Sequence, residues 1–307
     1  MGIVKNVNPR FCRKCLRLSL QVEQMILFAR LVNPDYNFYK RMNLKEGMPV
    51  PHDYVAQRIV TDMVEDGYYI DFVESLIQIE NNGYMGHKYK LWGLNDVVTS
   101  LIKEGFIFDQ ISGQFFENAQ ERVSPNWGRL QDGDERKMTV LRIDVAGNSA
   151  LVKSNPRDKV EKAYADLRKI VHRSVINRNG RLWSWEGDGA LAAFMFGTIE
   201  KMAVYAGIEI LHELFFYNKI RNPLDSPINV RIGAQIGQIR YSDNEVTRLK
   251  NDTVKQAMAL EAMAPKNGIA VSFNLYAPLG SQAQVLFNAE KTGRSGKFSV
   301  YTMGIEK

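Results

Sequence analysis

Apolar residues in the first half of the chain recur at every third or fourth position, the spacing of one face of a helix. This pattern predicts helices over residues 18–32, 54–64, 71–79 and 91–102. Residues 117–134 are polar and include Pro125, Gly128 and Gly133, so we interpret them as a linker. The first half is therefore predicted to be a helical accessory domain, spanning residues 1–134.

The pattern changes after residue 134. Residues 138–145 form a mostly apolar run of strand length, and similar runs then alternate with amphipathic stretches. The predicted strands cover residues 138–145, 180–185, 190–196, 228–240, 268–272, 284–288 and 297–303, and the predicted helices cover residues 158–178, 199–217 and 251–263. This order, β-α-β-β-α-β with an α-β extension, is typical of a ferredoxin-like fold. We therefore predict an α+β protein in which a ferredoxin-like domain, residues 135–307, follows the helical domain.

The composition is that of a globular protein, with 45% hydrophobic and 24% charged residues among 307. No apolar stretch is long enough to cross a bilayer, and residues 1–17 lack the apolar core of a secretory signal. We therefore expect a cytoplasmic protein that does not engage a membrane.

The two halves of the chain differ in charge. Residues 1–136 hold 16 Lys and Arg against 18 Asp and Glu, a net charge of −2, whereas the remaining residues hold 24 against 16, a net charge of +8. A basic half suits an anionic partner, either a nucleotide polyphosphate or a nucleic acid.

Two cysteines, Cys12 and Cys15, form a CxxC pair. A zinc site needs two further ligands, and the sequence offers no second CxxC and no closely spaced pair of histidines. We interpret the pair as two reduced thiols.

Two carboxylates stand out by position. Asp144 lies near the end of the apolar run at 138–145, and Asp188 occupies the tip of a Gly-Asp-Gly turn between two predicted strands. Those strands are central neighbours in a ferredoxin-like sheet, so the two carboxylates would converge. Adjacent carboxylates repel each other unless divalent cations lie between them, and Mg²⁺ or Mn²⁺ held in this way serves phosphoryl chemistry. Taken singly, each Asp has a simpler explanation in ordinary turn chemistry.

Five segments of the second half resemble, in order, motifs of the class III adenylate and guanylate cyclases. They are Leu-Arg-Ile-Asp-Val-Ala-Gly at 141–147, Trp-Glu-Gly-Asp-Gly-Ala-Leu-Ala-Ala-Phe at 185–194, Val-Arg-Ile-Gly-Ala-Gln-Ile-Gly at 230–237, Thr-Val-Lys-Gln-Ala-Met-Ala-Leu-Glu at 253–261 and Gly-Ile-Ala-Val-Ser at 268–272. The first two resemble the family's metal-binding motifs, and the fourth resembles its dimer-interface helix. The resemblance implies an enzyme that closes a nucleoside triphosphate into a 3′,5′-cyclic nucleotide and releases pyrophosphate.

The resemblance also implies roles for particular residues. Asp144 and Asp188 would bind two divalent ions, Mn²⁺ or Mg²⁺, with the Val145 carbonyl as a third ligand. Arg294, with Lys297 as a second candidate, would contact the polyphosphate. The backbone at the next helix start would wrap the triphosphate, through Ala146, Gly147, Asn148 and Ser149.

The interface helix departs from the family pattern. The family has an Asn and an Arg there, where this chain has Lys255 and Ala259. The family's Arg stabilises charge at the reacting phosphate. Lys255, or Arg248 one loop earlier, would supply that cation as a catalytic group; otherwise the domain is slow or inactive. A solvated helix face is the plain alternative for Lys255.

The base-reading positions depart as well. Adenylate cyclases read the purine with a Lys/Asp pair and guanylate cyclases with a Glu/Cys-type pair, whereas the aligned residues here are Ser184 and Arg248. An Arg meets the adenine amino group donor to donor, but it can donate to a uracil carbonyl. Trp183 and Trp185 either narrow the base pocket or belong to the core. The combination resembles the bacterial pyrimidine cyclases of Pycsar anti-phage defence, which make cyclic UMP or cyclic CMP, and we expect UTP ahead of CTP.

In the resembled family, metals and base are bound by different subunits, so one cyclase domain implies a head-to-tail homodimer with composite sites. The expected partners are a nucleoside triphosphate, a second copy of the chain and a separate effector that senses the cyclic nucleotide. We expect no nucleic acid. Three alternatives stay open: an adenylate cyclase with an atypical base pocket, an inactive nucleotide-binding regulatory module, and a nucleic-acid-binding protein that uses the basic second half.

Overall fold

The structure, a computed structural model, describes residues 8–121, 124–293 and 296–303. The chain divides into two compact units, residues 1–122 and 123–307. Among the described residues, no helix combines the length and the apolar character needed to cross a bilayer.

The first unit is mainly helical, as predicted. Its elements are α1 (Arg10–Ser19), α2 (Val22–Val32), α3 (Phe38–Arg41), α4 (His52–Glu65), α5 (Tyr69–Asn82), α6 (Leu94–Lys103), β1 (Phe106–Asp109) and β2 (Gln114–Glu117). The pattern predicts one helix over residues 18–32, whereas the structure has two, because Leu20 and Gln21 take extended backbone conformations. Gln21 then begins α2 through reciprocal side-chain bonds with Gln24.

The two cysteines lie on the buried face of α1 and are free. Burial raises the pKa of both thiols, that of Cys15 to about 12. Both therefore stay neutral near pH 7, and as free cysteines they agree with their interpretation as two reduced thiols.

The second unit contains a seven-stranded sheet with helices on its faces. Its elements are β3 (Glu135–Val145), α7 (Asn148–Ser154), α8 (Arg157–Ile176), β4 (Arg181–Glu186), β5 (Gly189–Phe194), α9 (Ile199–Ile220), β6 (Val230–Arg240), α10 (Glu245–Leu249), α11 (Asp252–Met263), β7 (Gly268–Ser272), α12 (Phe273–Tyr276), α13 (Ser281–Gln284), β8 (Ala289–Gly293) and β9 (Gly296–Thr302). The strand order is β4-β5-β3-β6-β7-β9-β8. The antiparallel strands β3 to β6, with α8 and α9 between them, form the predicted ferredoxin-like βαββαβ arrangement. The α+β prediction is therefore confirmed.

The central strand β3 divides its side chains between the two faces of the sheet. Leu141, Ile143 and Val145 join the main core with α8 and α9. Arg142 is the register partner of Gly233, which lies against α11. Cross-strand partners share a face, so Arg142 and Asp144 point to the α11 side.

The predicted domain boundary near residue 134 needs correction. Residues 124–134 belong to the second unit, and the indole of Trp127 is fully buried there. Its Nε1 donates to the Asn179 carbonyl at 2.7 Å, and the Trp183 Nε1 donates to the Pro125 carbonyl at 2.9 Å. This polar, glycine-containing segment is therefore packed on the second unit, because its two large apolar side chains, Trp127 and Leu130, are buried.

Two further local predictions are wrong. Residues 284–288 are predicted as a strand, but the edge strand β8 begins at Ala289. The side-chain amide of Gln284 donates to the carbonyls of Tyr276 and Ala277, and this contact favours the short helix α13. Arg248, expected in a loop, lies in α10.

Helix α11 packs on β6 at a distance that only glycine permits. A Cβ added at Gly233 would lie 2.8 Å from the Glu261 Cα and would collide with the backbone of Ala257. By contrast, the three atoms nearest to a Cβ at Gly237 all belong to the side chain of Thr253, and none of them to a backbone. The backbone of α11 therefore rests directly on the strand at Gly233.

We expect Gly233→Ala to destabilise the second unit by about 2–3 kcal/mol, because two backbones would have to separate. Gly237→Ala is the matched control on the same strand. Its loss of unfolding free energy should be smaller, because only the side chain of Thr253 has to move and not two backbones. Urea unfolding of both variants measures the difference, and equal stabilities would contradict the close packing described here.

Candidate active site

Asp144 and Asp188 lie beside each other at the end of the central strands. Asp144 is the register partner of Gly189, the residue after Asp188. Glu186 also pairs with Gly189, so Gly187 and Asp188 form a tight two-residue turn, with a φ of 57° at Gly187. The structure thus brings together the two carboxylates that the sequence singles out.

An arginine links Asp144 to a third carboxylate. The Arg231 Nη2 donates to the Asp144 Oδ2 at 3.1 Å, and the Arg231 Nε lies 3.0 Å from the Glu261 Oε1. The second contact is an ion pair without hydrogen-bond geometry, since both of its atoms are buried without a hydrogen-bond partner. Only 11% of the Glu261 side chain is exposed, so Glu261 depends on nearby cations for charge compensation, first on Arg231 and then on Arg142.

Two neighbouring groups experience the negative charge of both aspartates. Burial raises the pKa of Glu261; Arg231 and Arg142 oppose this shift, and Asp144 and Asp188 add to it. Burial also raises the pKa of Tyr164 to about 12, and both aspartates again contribute. The two carboxylates therefore concentrate negative charge at one place.

The donor set fits a hard divalent cation. Asp144 and Asp188 supply carboxylate oxygens, and Val145 supplies a backbone carbonyl at the end of β3. In the described residues, no group of three His, Cys, Asp or Glu side chains is placed to hold a metal ion. Mg²⁺ and Mn²⁺ tolerate such a sparse set, because water and substrate phosphates complete their coordination.

Residues 145–149 make the turn from β3 into α7. Gly147 precedes the helix with a φ of 78°, which glycine adopts without strain. The Ala146 amide donates to the Asn229 carbonyl at 2.8 Å, so the prediction that this amide binds the triphosphate does not hold in this conformation. The Asn148 side chain accepts from the Tyr164 hydroxyl. The roles of Gly147, Asn148 and Ser149 stay predictions.

The structure argues against Arg248 as a base-reading residue. The Arg248 Nη1 donates to the carbonyls of Ser242 and Asp243, and its Nη2 donates to the Trp183 carbonyl. The guanidinium also lies over the rings of Trp183 and Tyr241. Arg248 therefore fastens strand β4 to the segment after β6, and it cannot reach a base without breaking these bonds.

The same contacts place Trp183 and Ser184 in the fold. Trp183 is buried beside Trp127, whereas Trp185 packs on the opposite face of the sheet with Arg168 over its ring. Ser184 is 7% exposed, and its hydroxyl has no hydrogen-bond partner in the described structure. Both tryptophans are thus packing residues, and Ser184 keeps an unused polar group.

The other predicted cations lie away from the carboxylates. The Lys255 Nζ pairs with the Asp252 Oδ1 at 3.0 Å on the exposed side of α11, and Lys297 pairs with Glu290 at 2.9 Å. Arg294 lies outside the described residues. Within one chain, the described contacts do not join Lys255 to Asp144 or Asp188.

The structure adds residues that the sequence analysis misses, namely Arg142, Tyr164, Arg231 and Glu261. All four side chains lie near the aspartates. A charged residue two positions before Asp144 in an apolar strand is a signal for Arg142 that the sequence contains. Arg231 and Glu261 lie in two of the cyclase-like segments, but their contact with Asp144 and with each other comes from packing between distant parts of the chain. Tyr164 has no local signal.

No protein-family model matches the chain. Among curated proteins, "Putative adenylate cyclase 3" of Rhizobium meliloti (strain 1021) is 26% identical over 141 residues, which make up 46% of this chain and 23% of the relative. The chain therefore spans about a quarter of that relative's length.

Solved cyclase domains also match. The monomeric guanylyl cyclase domain of the RhoGC fusion protein from the aquatic fungus Blastocladiella emersonii is 15% identical with a TM-score of 0.46, covering 55% of this chain and 98% of that one. The adenylate/guanylate cyclase/hydrolase from Silicibacter pomeroyi is 22% identical with a TM-score of 0.45, covering 54% and 95%.

We expect Arg231→Met to lower the free energy of unfolding by about 2 kcal/mol, because it leaves the buried Glu261 without its counter-charge. Adding Glu261→Gln to this variant should recover most of the loss. The control is Arg173→Met, which removes an exposed pair with Glu213 and should cost less than about 1 kcal/mol. Chemical unfolding measures all three, and a loss that the second substitution leaves unchanged would show that the pair is not coupled.

Proposed function

We propose that the chain is a nucleotidyl cyclase, which closes a nucleoside triphosphate into a 3′,5′-cyclic nucleotide and releases pyrophosphate. The observation that carries the proposal is the placement of Asp144 and Asp188 side by side at the end of a ferredoxin-like sheet. The five cyclase-like segments support it, and so does the name of the R. meliloti relative, which is 26% identical over 141 residues.

In this proposal Asp144 and Asp188 hold two divalent cations, with the Val145 carbonyl as a further ligand. Bound there, Mg²⁺ or Mn²⁺ supplies Lewis acidity, lowering the pKa of the ribose 3′-hydroxyl and stabilising charge on the departing pyrophosphate. Arg231 orients the Asp144 carboxylate through its hydrogen bond to Oδ2. Tyr164 fixes the side chain of Asn148 at the turn that follows.

We further propose a pyrimidine nucleotide, UTP or CTP, as the substrate. Ser184 stands where purine cyclases carry a base-reading side chain, and its buried hydroxyl can both donate and accept. The expected preference for uracil over cytosine depends on Arg248, but the guanidinium of Arg248 is hydrogen-bonded within the chain. The proposal therefore covers UTP and CTP without a preference between them. By its resemblance to the Pycsar enzymes, the cyclic product would be a second messenger that activates a separate effector in anti-phage defence.

A nucleotide-binding module without turnover is the second candidate. It is favoured by α11, which has Ala259 in place of the family's Arg, while Lys255 is paired with Asp252. Such a module would bind nucleoside triphosphates and leave them unchanged.

Turnover of ATP, GTP, CTP and UTP in the presence of Mn²⁺, with products identified by mass spectrometry, tests the proposal. We expect cyclic UMP or cyclic CMP as the main product. Asp144→Asn and Asp188→Asn should each reduce the rate by on the order of a hundredfold or more, since both remove a metal ligand. Asp158→Asn, at the exposed start of α8, is the control and should leave the rate unchanged.

The outcomes separate the parts of the proposal. Cyclic AMP or cyclic GMP as the main product would contradict the pyrimidine assignment and retain the cyclase. Nucleotide binding without any cyclic product would favour the second candidate.

We also propose that the active unit is a head-to-tail homodimer. The exposed position of Lys255 on α11 supports this arrangement, because the side chain is available to a second copy of the chain. In such a dimer each site combines the aspartates of one subunit with α11 of the other.

A mixing experiment tests the composite site. Asp144→Asn and Lys255→Met should each be inactive alone, but a mixed dimer contains one intact site. Random pairing should therefore restore about a quarter of the wild-type rate. Two Asp144→Asn preparations mixed in the same way are the control, and the absence of any recovery in the test mixture would contradict a shared site.

A further inference from the structure

Arg142 has an unusual position for a charged residue. Within the run Met-Thr-Val-Leu-Arg-Ile-Asp-Val at 138–145, the charged residues are Arg142 and Asp144. Both lie on the α11 face of the sheet, two residues apart on the same strand. The side chain of Arg142 is thus held near the proposed metal-binding carboxylates.

The guanidinium of Arg142 lies directly over Gly189. A Cβ at Gly189 would lie 2.9 Å from the Arg142 Cζ and closer still to its Nη2. Gly189 does not have a positive φ, so its backbone conformation does not require glycine. The missing side chain at position 189 instead makes room for the guanidinium, beside Asp188 and across from Asp144.

Arg142 interacts electrostatically with Glu261 but has no direct hydrogen-bonded partner for its Nε among the described residues. This Nε is buried, and no carboxylate in the described part of the chain lies within ion-pair distance of Arg142. Arg142 as a whole is half-buried, and a half-buried cation without a directly bonded counter-ion carries a desolvation cost. An anion that enters from solvent would remove this cost.

The neighbouring cations are already engaged. Arg231 contacts both Asp144 and Glu261, Arg248 is bonded to three backbone carbonyls, and Lys255 is paired with Asp252. Among the described cations near the two aspartates, Arg142 is therefore the one whose guanidinium is available to a new anionic partner.

We propose that Arg142 is a catalytic residue that contacts the triphosphate of the bound nucleotide and supplies the guanidinium that is missing from α11, where Ala259 stands in place of the family's Arg. The proposal rests on the proposed nucleotidyl cyclase function. The phosphates are the expected contact because the guanidinium turns toward Gly189 and the aspartates. Ser184 and Arg142 are both register partners of Leu191 on the intervening strand, and the buried side chain of Leu191 lies between them. Arg142 is therefore separated from the proposed base-reading position. The planar guanidinium matches two phosphate oxygens at once.

Calorimetric titration with magnesium pyrophosphate tests this contact without requiring turnover. We expect Arg142→Met to weaken pyrophosphate binding by about tenfold or more, because a charge-assisted bond to phosphate is lost. Arg142→Lys should fall between this variant and the wild type, since it keeps the charge and loses the two-pronged geometry. Arg136→Met, on the exposed start of the same strand, is the matched control and should bind as the wild type does.

Gly189→Ala is the second variant, for use if Arg142→Met fails to fold. It keeps the guanidinium but displaces it, so it too should weaken pyrophosphate binding. Wild-type protein that does not bind pyrophosphate, or folded variants at Arg142 and Gly189 that bind it as the wild type does, would overturn the proposal. Weaker binding of UTP or CTP with unchanged binding of pyrophosphate would place Arg142 at the base or ribose and would also overturn it. Failure of the cyclase proposal is seen separately, as the absence of cyclic product from the wild type.

Discussion

The position of β3 between β5 and β6 is the constraint on which the rest of the second unit depends. Side chains alternate along a strand, so a shift of one residue would move Asp144 into the apolar core and Ile143 out of it. Burying Leu141, Ile143 and Val145 against α8 and α9 contributes about 1.5–3 kcal/mol for each side chain. This apolar face holds the register against the tendency of the charged residues to reach solvent. The apolar residues that alternate with the charged residues along β3 therefore determine on which face of the sheet Asp144 lies.

Helix α11 imposes the second constraint. Its backbone rests on Gly233, which brings Glu261 over the end of β6 and within reach of Arg231. The same helix carries Lys255 on its exposed side. Helix α11 thus carries Lys255 on its exposed side and Glu261 on its buried side, where Glu261 affects Asp144 through Arg231. Any movement of the helix changes both environments together.

The sequence predicts the regular parts of the fold because their periodicity is long and strong. The strand at 138–145 and the two long helices packed on it are of this kind. Short elements, such as the hairpin of β1 and β2 or the short helix α7, contain too few residues for a hydrophobic period to identify them as strand or helix. Residues 124–134 look like a linker because their composition is polar, yet the burial of Trp127 and Leu130 outweighs that composition.

The candidate site follows the same division. Asp144 and Asp188 are predictable because each is marked by its own local sequence, an apolar strand end and a tight turn. Arg231 and Glu261 stand in cyclase-like segments, but their contacts with the aspartate site, like those of Tyr164, join distant parts of the chain and are not revealed by sequence spacing. Arg248 shows the opposite error, since a motif position indicates where a residue stands but not that its guanidinium is bonded to the carbonyls of Ser242 and Trp183.

The fit of Arg142 over Gly189 has a consequence for how this sequence can diverge. A side chain at position 189 and a guanidinium at position 142 would occupy the same space. Descendants that enlarge position 189 must therefore either move this guanidinium aside or shorten the side chain at position 142. The two positions lie on neighbouring strands and far apart along the chain, so a change at either one alters the space that is available to the other.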